Sequence, residues 1–81
     1  MDHIINTARM ISRKFILCEN AYANTELVKL AQLLLQTPKL QRNQDIPLLV
    51  DKIIKAHEVK NYIYIADLIE YELIPTLLKT L

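Results

Sequence analysis

Glycine is absent from all 81 residues, and proline occurs only three times. A chain without glycine has no cheap route to a positive φ, which excludes the Asn-Gly and Asp-Gly turns of tight β-hairpins. It also excludes the glycine-rich loops that cradle phosphates in mononucleotide and dinucleotide sites. The single cysteine, Cys18, excludes an internal disulfide and a cysteine-built zinc site; it reads as a small buried apolar residue in a reducing compartment. Charge of one sign is lacking too. Ten basic and nine acidic residues leave a net +1, too balanced for DNA or an anionic membrane as the main partner. No apolar run approaches the ~18–20 residues that span a bilayer. The start, Met1-Asp2-His3-Ile4-Ile5, carries an acid early, and Arg13 and Lys14 fall where a signal peptide is apolar. These features predict a cytoplasmic protein.

What is present is mostly apolar. Hydrophobic residues make up 52% of the chain, and its length predicts one domain over residues 1–81. Four helical segments follow from the spacing. In the first, from about Asp2 to Cys18, Ile4, Ala8, Ile11, Phe15 and Cys18 recur at steps of four and three. A break is expected within residues 19–25, where Asn20, Asn24 and Thr25 are good N-cap types. Asn24 or Thr25 then begins a second helix to about Gln36, with Leu27, Leu30, Ala31 and Leu34 on its stripe; this helix reads as more central than the first. Thr37-Pro38 ends it, and residues 37–44 read as loop. Asp45 is the expected N-cap of a third helix, with Pro47 in its first turn. Asn61 caps a fourth, to about Leu78, with Tyr62, Ile65, Ala66, Ile69 and Leu73 on one stripe. Pro75 falls inside that pattern, where a proline costs an α-helix about 3 kcal/mol, so a kink or a stop is expected there. The predicted fold is all-α, a small bundle of four helices.

Catalysis finds little support. His3 lies near a terminus. His57-Glu58-Val59-Lys60 begins like a zinc-protease motif but lacks the second histidine. Asp67, Glu70 and Glu72 are the densest acidic cluster, yet a di-metal bundle needs Glu-x-x-His pairs, and the sequence has none. A solvated acidic face is the simpler reading. No catalytic residue, cofactor or metal is expected.

Two binding readings remain. Apolar residues lie off the principal stripes, as Val28, Leu33 and Leu35 in the second helix and as Ile63, Tyr64, Leu68 and Tyr71 in the fourth. A domain this short hides one stripe per helix, so the surplus predicts a surface for another protein or a second copy, anchored by Tyr64, Leu68 and Tyr71. The alternative is a small nucleic-acid-binding regulator using Arg9, Arg13 and Lys14 of the first helix and Arg42 of the 37–44 loop. Against it, that loop is long for a helix-turn-helix, and no aromatic interleaves the basic residues. Charge is split along the chain. Residues 1–43 carry +3 and residues 61–81 carry −2, which can orient the first and last helices or steer two copies together.

The stretch Tyr62 to Leu78, YIYIADLIEYELIPTLL, resembles the ending of short uncharacterised helical proteins of Firmicutes, through an aromatic, an Ala-Asp-Leu, a Glu-Tyr-Glu and a proline at this spacing. Asp67, Glu70, Tyr71, Glu72 and Pro75 match that pattern over about a fifth of the chain. The resemblance implies a small regulatory or accessory protein, with a motility or cell-surface gene context, and no particular chemistry. The expected function is therefore a non-enzymatic protein–protein interaction module: a regulator, an adaptor, or a chaperone-like or phage-type accessory protein, homodimeric in the simplest version.

Overall fold

A computed structural model describes residues 2–80, the side chain of Asp2 excepted. The chain is all-α, and no strand occurs among the described residues. In order come α1 (Asp2–Ile16), α2 (Asn20–Gln36), a single turn α3 (Pro38–Gln41), α4 (Asp45–Glu58), α5 (Tyr62–Leu68), a π-helical turn (Ile69–Leu73) and α6 (Ile74–Thr80). The last three run on as one rod over residues 62–80. The expectation of four helices is corrected by α3, which forms inside the stretch read as loop. Pro38 opens it, where a missing N–H costs nothing, and Leu40 is its anchor, sealed in the core.

The first break falls earlier than expected, and two residues explain it. Cys18 and Lys60 both take the left-handed conformation, at φ 62° and 57°. Each follows a helix as the C′ residue of a Schellman motif. After α1, Glu19 N–H donates to Lys14 C=O at 2.9 Å and Cys18 N–H to Phe15 C=O at 3.1 Å. After α4, Asn61 N–H donates to Ala56 C=O at 2.9 Å and Lys60 N–H to His57 C=O at 3.0 Å. The chain thus uses non-glycine residues where glycine is the usual choice. The same geometry corrects the reading of Cys18 as buried: α1 has already ended, and the thiol is free and exposed. Because a Cβ makes this conformation costly, Lys60→Gly is expected to raise stability by about 1 kcal/mol. A thermal melt should show it as a midpoint increase of about 4–8 °C; no increase would mean that the turn carries no strain.

The other joins use side chains. Asn61 caps α5 as expected, its Oδ1 accepting from Tyr64 N–H at 3.4 Å. At α4 the N-cap position falls on Gln44 rather than Asp45 and makes no side-chain cap bond; the residue before it, Asn43, satisfies the first helical N–H instead. Asn43 Oδ1 accepts from Asp45 N–H at 2.9 Å, while its amide donates to Thr80 Oγ1 at 2.7 Å and ties the join to the end of α6. Asp45 itself is already helical.

The core is one cluster. Ile4, Ala8, Ile11 and Phe15 of α1 face Ile65, Ala66, Leu68 and Ile69 of the last rod, with Leu27, Leu30 and Leu34 of α2 and Leu49, Val50 and Ile53 of α4 closing around them. Helix α1 packs on α2, α5, the π turn and α6, while α2 touches α1, α3 and α4. So α1 is the more central of the two, and α2 keeps one long face uncovered.

The rod neither ends nor breaks at Pro75. The π turn precedes it, with Ile74 N–H bonded to Ile69 C=O five residues back. Its wider ring eases the clash that proline makes with the carbonyl one α-turn earlier. It also corrects the phase. Ile69, Leu73 and Leu77 are all sealed, yet two steps of four advance an α-helix about 80°. One extra residue in the turn absorbs that drift and keeps Glu72 and Thr76 off the core.

Candidate functional site: an apolar groove between α2 and α4

Helices α2 and α4 are antiparallel. The short 37–44 connection joins the end of one to the start of the other, and at the far end His57 Nε2 lies 3.1 Å from Asn24 Oδ1. Between these ties the helices part, leaving a groove of about 280 Å³. Its floor is Leu27, Leu30, Leu34, Val50 and Ile53, its lips are Val28, Leu35 and Ile54, and His57 and Glu58 stand at one end. The floor is buried, but Val28 is 58% exposed, Leu35 49% and Ile54 47%. Three large aliphatic side chains gathered around one concavity form a patch that none of the described residues covers, the usual mark of a binding surface.

His57 also meets Tyr62 edge-on at 6.2 Å, and Tyr62 stacks on Phe15 at 5.5 Å with the rings 11° apart. The far wall of the groove is thereby fastened to α1 and α5, so this end is held rigidly.

The anchors expected from the sequence divide. Tyr71 is 74% exposed and Tyr64 44%. Leu68 is wholly buried, because α5 is wedged between α1 and α4 and loses both flanks of its apolar face. It is therefore no surface anchor. Tyr71 lines a cleft against Leu48, Lys52 and Pro75, beside the Lys52–Glu72 ion pair at 3.5 Å; Tyr64 lies outside that cleft. The structure thus does not unite the three in one patch. On α2, by contrast, the surplus residues Val28 and Leu35 noted in the sequence do fall on the groove. Ile54 follows Ile46, Leu49, Val50 and Ile53 at helical spacing, so the sequence does not set it apart as surplus to its own helix.

The basic residues are also dispersed. Arg9 and Arg13 line a cleft with Ser12 and Glu70, and Ser12 Oγ donates to Glu70 Oε2 at 3.1 Å, so the acid faces them. Lys14 is bonded to Glu19 at 2.6 Å, which raises its pKa above the ordinary lysine value. It also sits 5.5 Å from the Tyr22 ring. Arg42 lines a separate hollow with Lys39 and Asn43. The first and last helices bring opposite charges to the Arg9–Arg13 cleft, but among the described residues no ion pair joins Arg9 or Arg13 to Glu70.

Among the described residues no group of three His, Cys, Asp or Glu side chains gathers as a metal site, and no helix is long and apolar enough to cross a membrane. No protein-family model matches the chain, and neither a curated protein nor a solved structure matches it.

Proposed function

We propose that the protein is a non-enzymatic protein–protein interaction module, a small helical bundle of the regulator, adaptor or accessory kind, working in the cytoplasm. Its binding surface is the α2–α4 groove. The observation that supports this reading is the grouping of Val28, Leu35 and Ile54, each about half exposed, around a concavity floored by leucine, isoleucine and valine. A groove walled by two helices suits the apolar face of a third, which inserts anchors at successive helical turns. Tyr71 and Leu48 extend the apolar surface on the other side of α4.

The test is capture from an extract of the native cells on the immobilised chain, comparing wild type with Ile54→Asp. A carboxylate on the lip puts a charge into an interface that must dry. Retention of the bound protein is expected to fall at least about tenfold, with the helical circular dichroism unchanged. Equal retention by the two chains would overturn the groove as the binding surface.

A further inference from the structure

We infer that the groove is covered by a second copy of the chain, paired through an antiparallel α2–α2 seam centred on Val28; the inference rests on the reading of the groove as a binding surface. The outward face of α2 carries Ala21, Thr25, Val28, Gln32 and Leu35, at steps of four, three, four and three, all exposed and none charged. That is the 3.5-residue period of a helix seam, laid on the outside of the domain.

The stripe is self-complementary. In a twofold antiparallel pair with Val28 on the axis, residue i lies level with residue 56 − i of the other copy. Val28 meets Val28. Small Ala21 lies level with large Leu35, and Thr25 falls one residue from the level of Gln32, a partner for its hydroxyl. Ile54 flanks the axis as well, because the Asn24–His57 contact sets Val28 beside residues 53 and 54. On the flank away from α4, Lys29 and Glu26 form an ion pair at 3.3 Å. Glu26, two residues from Val28, points to the opposite side of α2, so each Lys29 at the edge of the seam is neutralised by the glutamate of its own copy. Asp51 on α4 is held by Lys55 at 3.0 Å.

The area fits a reversible pair. Two helices side by side, about 25 Å long and about 20 Å across, present about 500 Å² per copy. The total of about 1,000 Å² is at the lower edge of specific interfaces.

Sedimentation velocity over a wide concentration series should show wild type moving from monomer to dimer. Val28→Asp sets two carboxylates together on the axis and should weaken the pair about a hundredfold. Register is read by oxidation in a Cys18→Gly background, which removes the only native thiol. Val28→Cys should cross-link the two copies, and Thr25→Cys, whose two thiols would lie about 9 Å apart along the seam, should not. A wild type that stays monomeric throughout, a dimer indifferent to Val28→Asp, or equal cross-linking at both positions overturns the inference. If the chain is monomeric yet still captures another protein in an Ile54-dependent way, self-pairing fails and the groove reading stands. If neither self-association nor capture depends on Val28 or Ile54, both fail.

Discussion

Phe15→Ala is expected to lower the unfolding free energy by about 3–5 kcal/mol, the largest loss from any single side chain here. Phe15 is the only phenylalanine and is sealed at 1% exposure. Its ring stacks on Tyr62, which meets His57 edge-on, so one truncation opens a cavity and loosens α1, α5 and α4 together. The scale decides the outcome. A domain of this length has a total stability of about 4–12 kcal/mol, so the variant is left marginal or unfolded. Urea titration followed by circular dichroism measures it, the midpoint falling steeply while the slope holds. Phe15→Leu, which refills most of the volume, should cost less than half as much. Tyr71→Ala, at a side chain 74% exposed, should stay within about 0.5 kcal/mol. A loss below about 1.5 kcal/mol for Phe15→Ala would show that the stack is not the junction of the three helices.

Phe15 was legible because local spacing alone marks a helical stripe: Ile4, Ala8, Ile11 and Phe15 recur at helical steps, and all four are buried. The same rule misled at Cys18, since periodicity does not register a helix that has already ended. The signal for that end is a residue with positive φ, which glycine announces; here a cysteine and a lysine do the work unannounced. Leu40 was missed for a related reason: one apolar residue among Lys39, Gln41 and Arg42 has no period, and only tertiary packing makes α3 worth forming. Leu68 and Val28 show the deeper limit. Both lie off the principal stripe of their helices, and both read as surplus in sequence. One is buried because α5 has neighbours on two sides, and the other is exposed because α2 is peripheral. Which helix is central is a property of the assembly of helices, which no single helix's pattern carries.

Removing one residue from the π turn tests whether Pro75 and that turn depend on each other. Deletion of Tyr71 is the chosen change, since Glu70 is bonded to Ser12 and Glu72 to Lys52, whereas Tyr71 is mostly in solvent. With Tyr71 gone, the rod can run as α-helix from Tyr62 to Thr80 and still bring Leu73, Ile74 and Leu77 to the core, because the extra residue is what the π turn accommodates. Pro75 then sits in the interior of an uninterrupted α-helix, where it clashes with the carbonyl four residues back and leaves it without a donor. The deletion should therefore cost about 3 kcal/mol. In a Pro75→Ala background the clash is gone, and the same deletion should be close to neutral. The coupling between the two changes, measured as a double-mutant cycle in urea, is the quantity that decides. A coupling of about 3 kcal/mol means that the π turn exists to carry a proline through a continuous helix. A coupling near zero means that the turn is fixed by packing of Leu73 and Leu77 alone, and that Pro75 could be replaced without consequence for the rod.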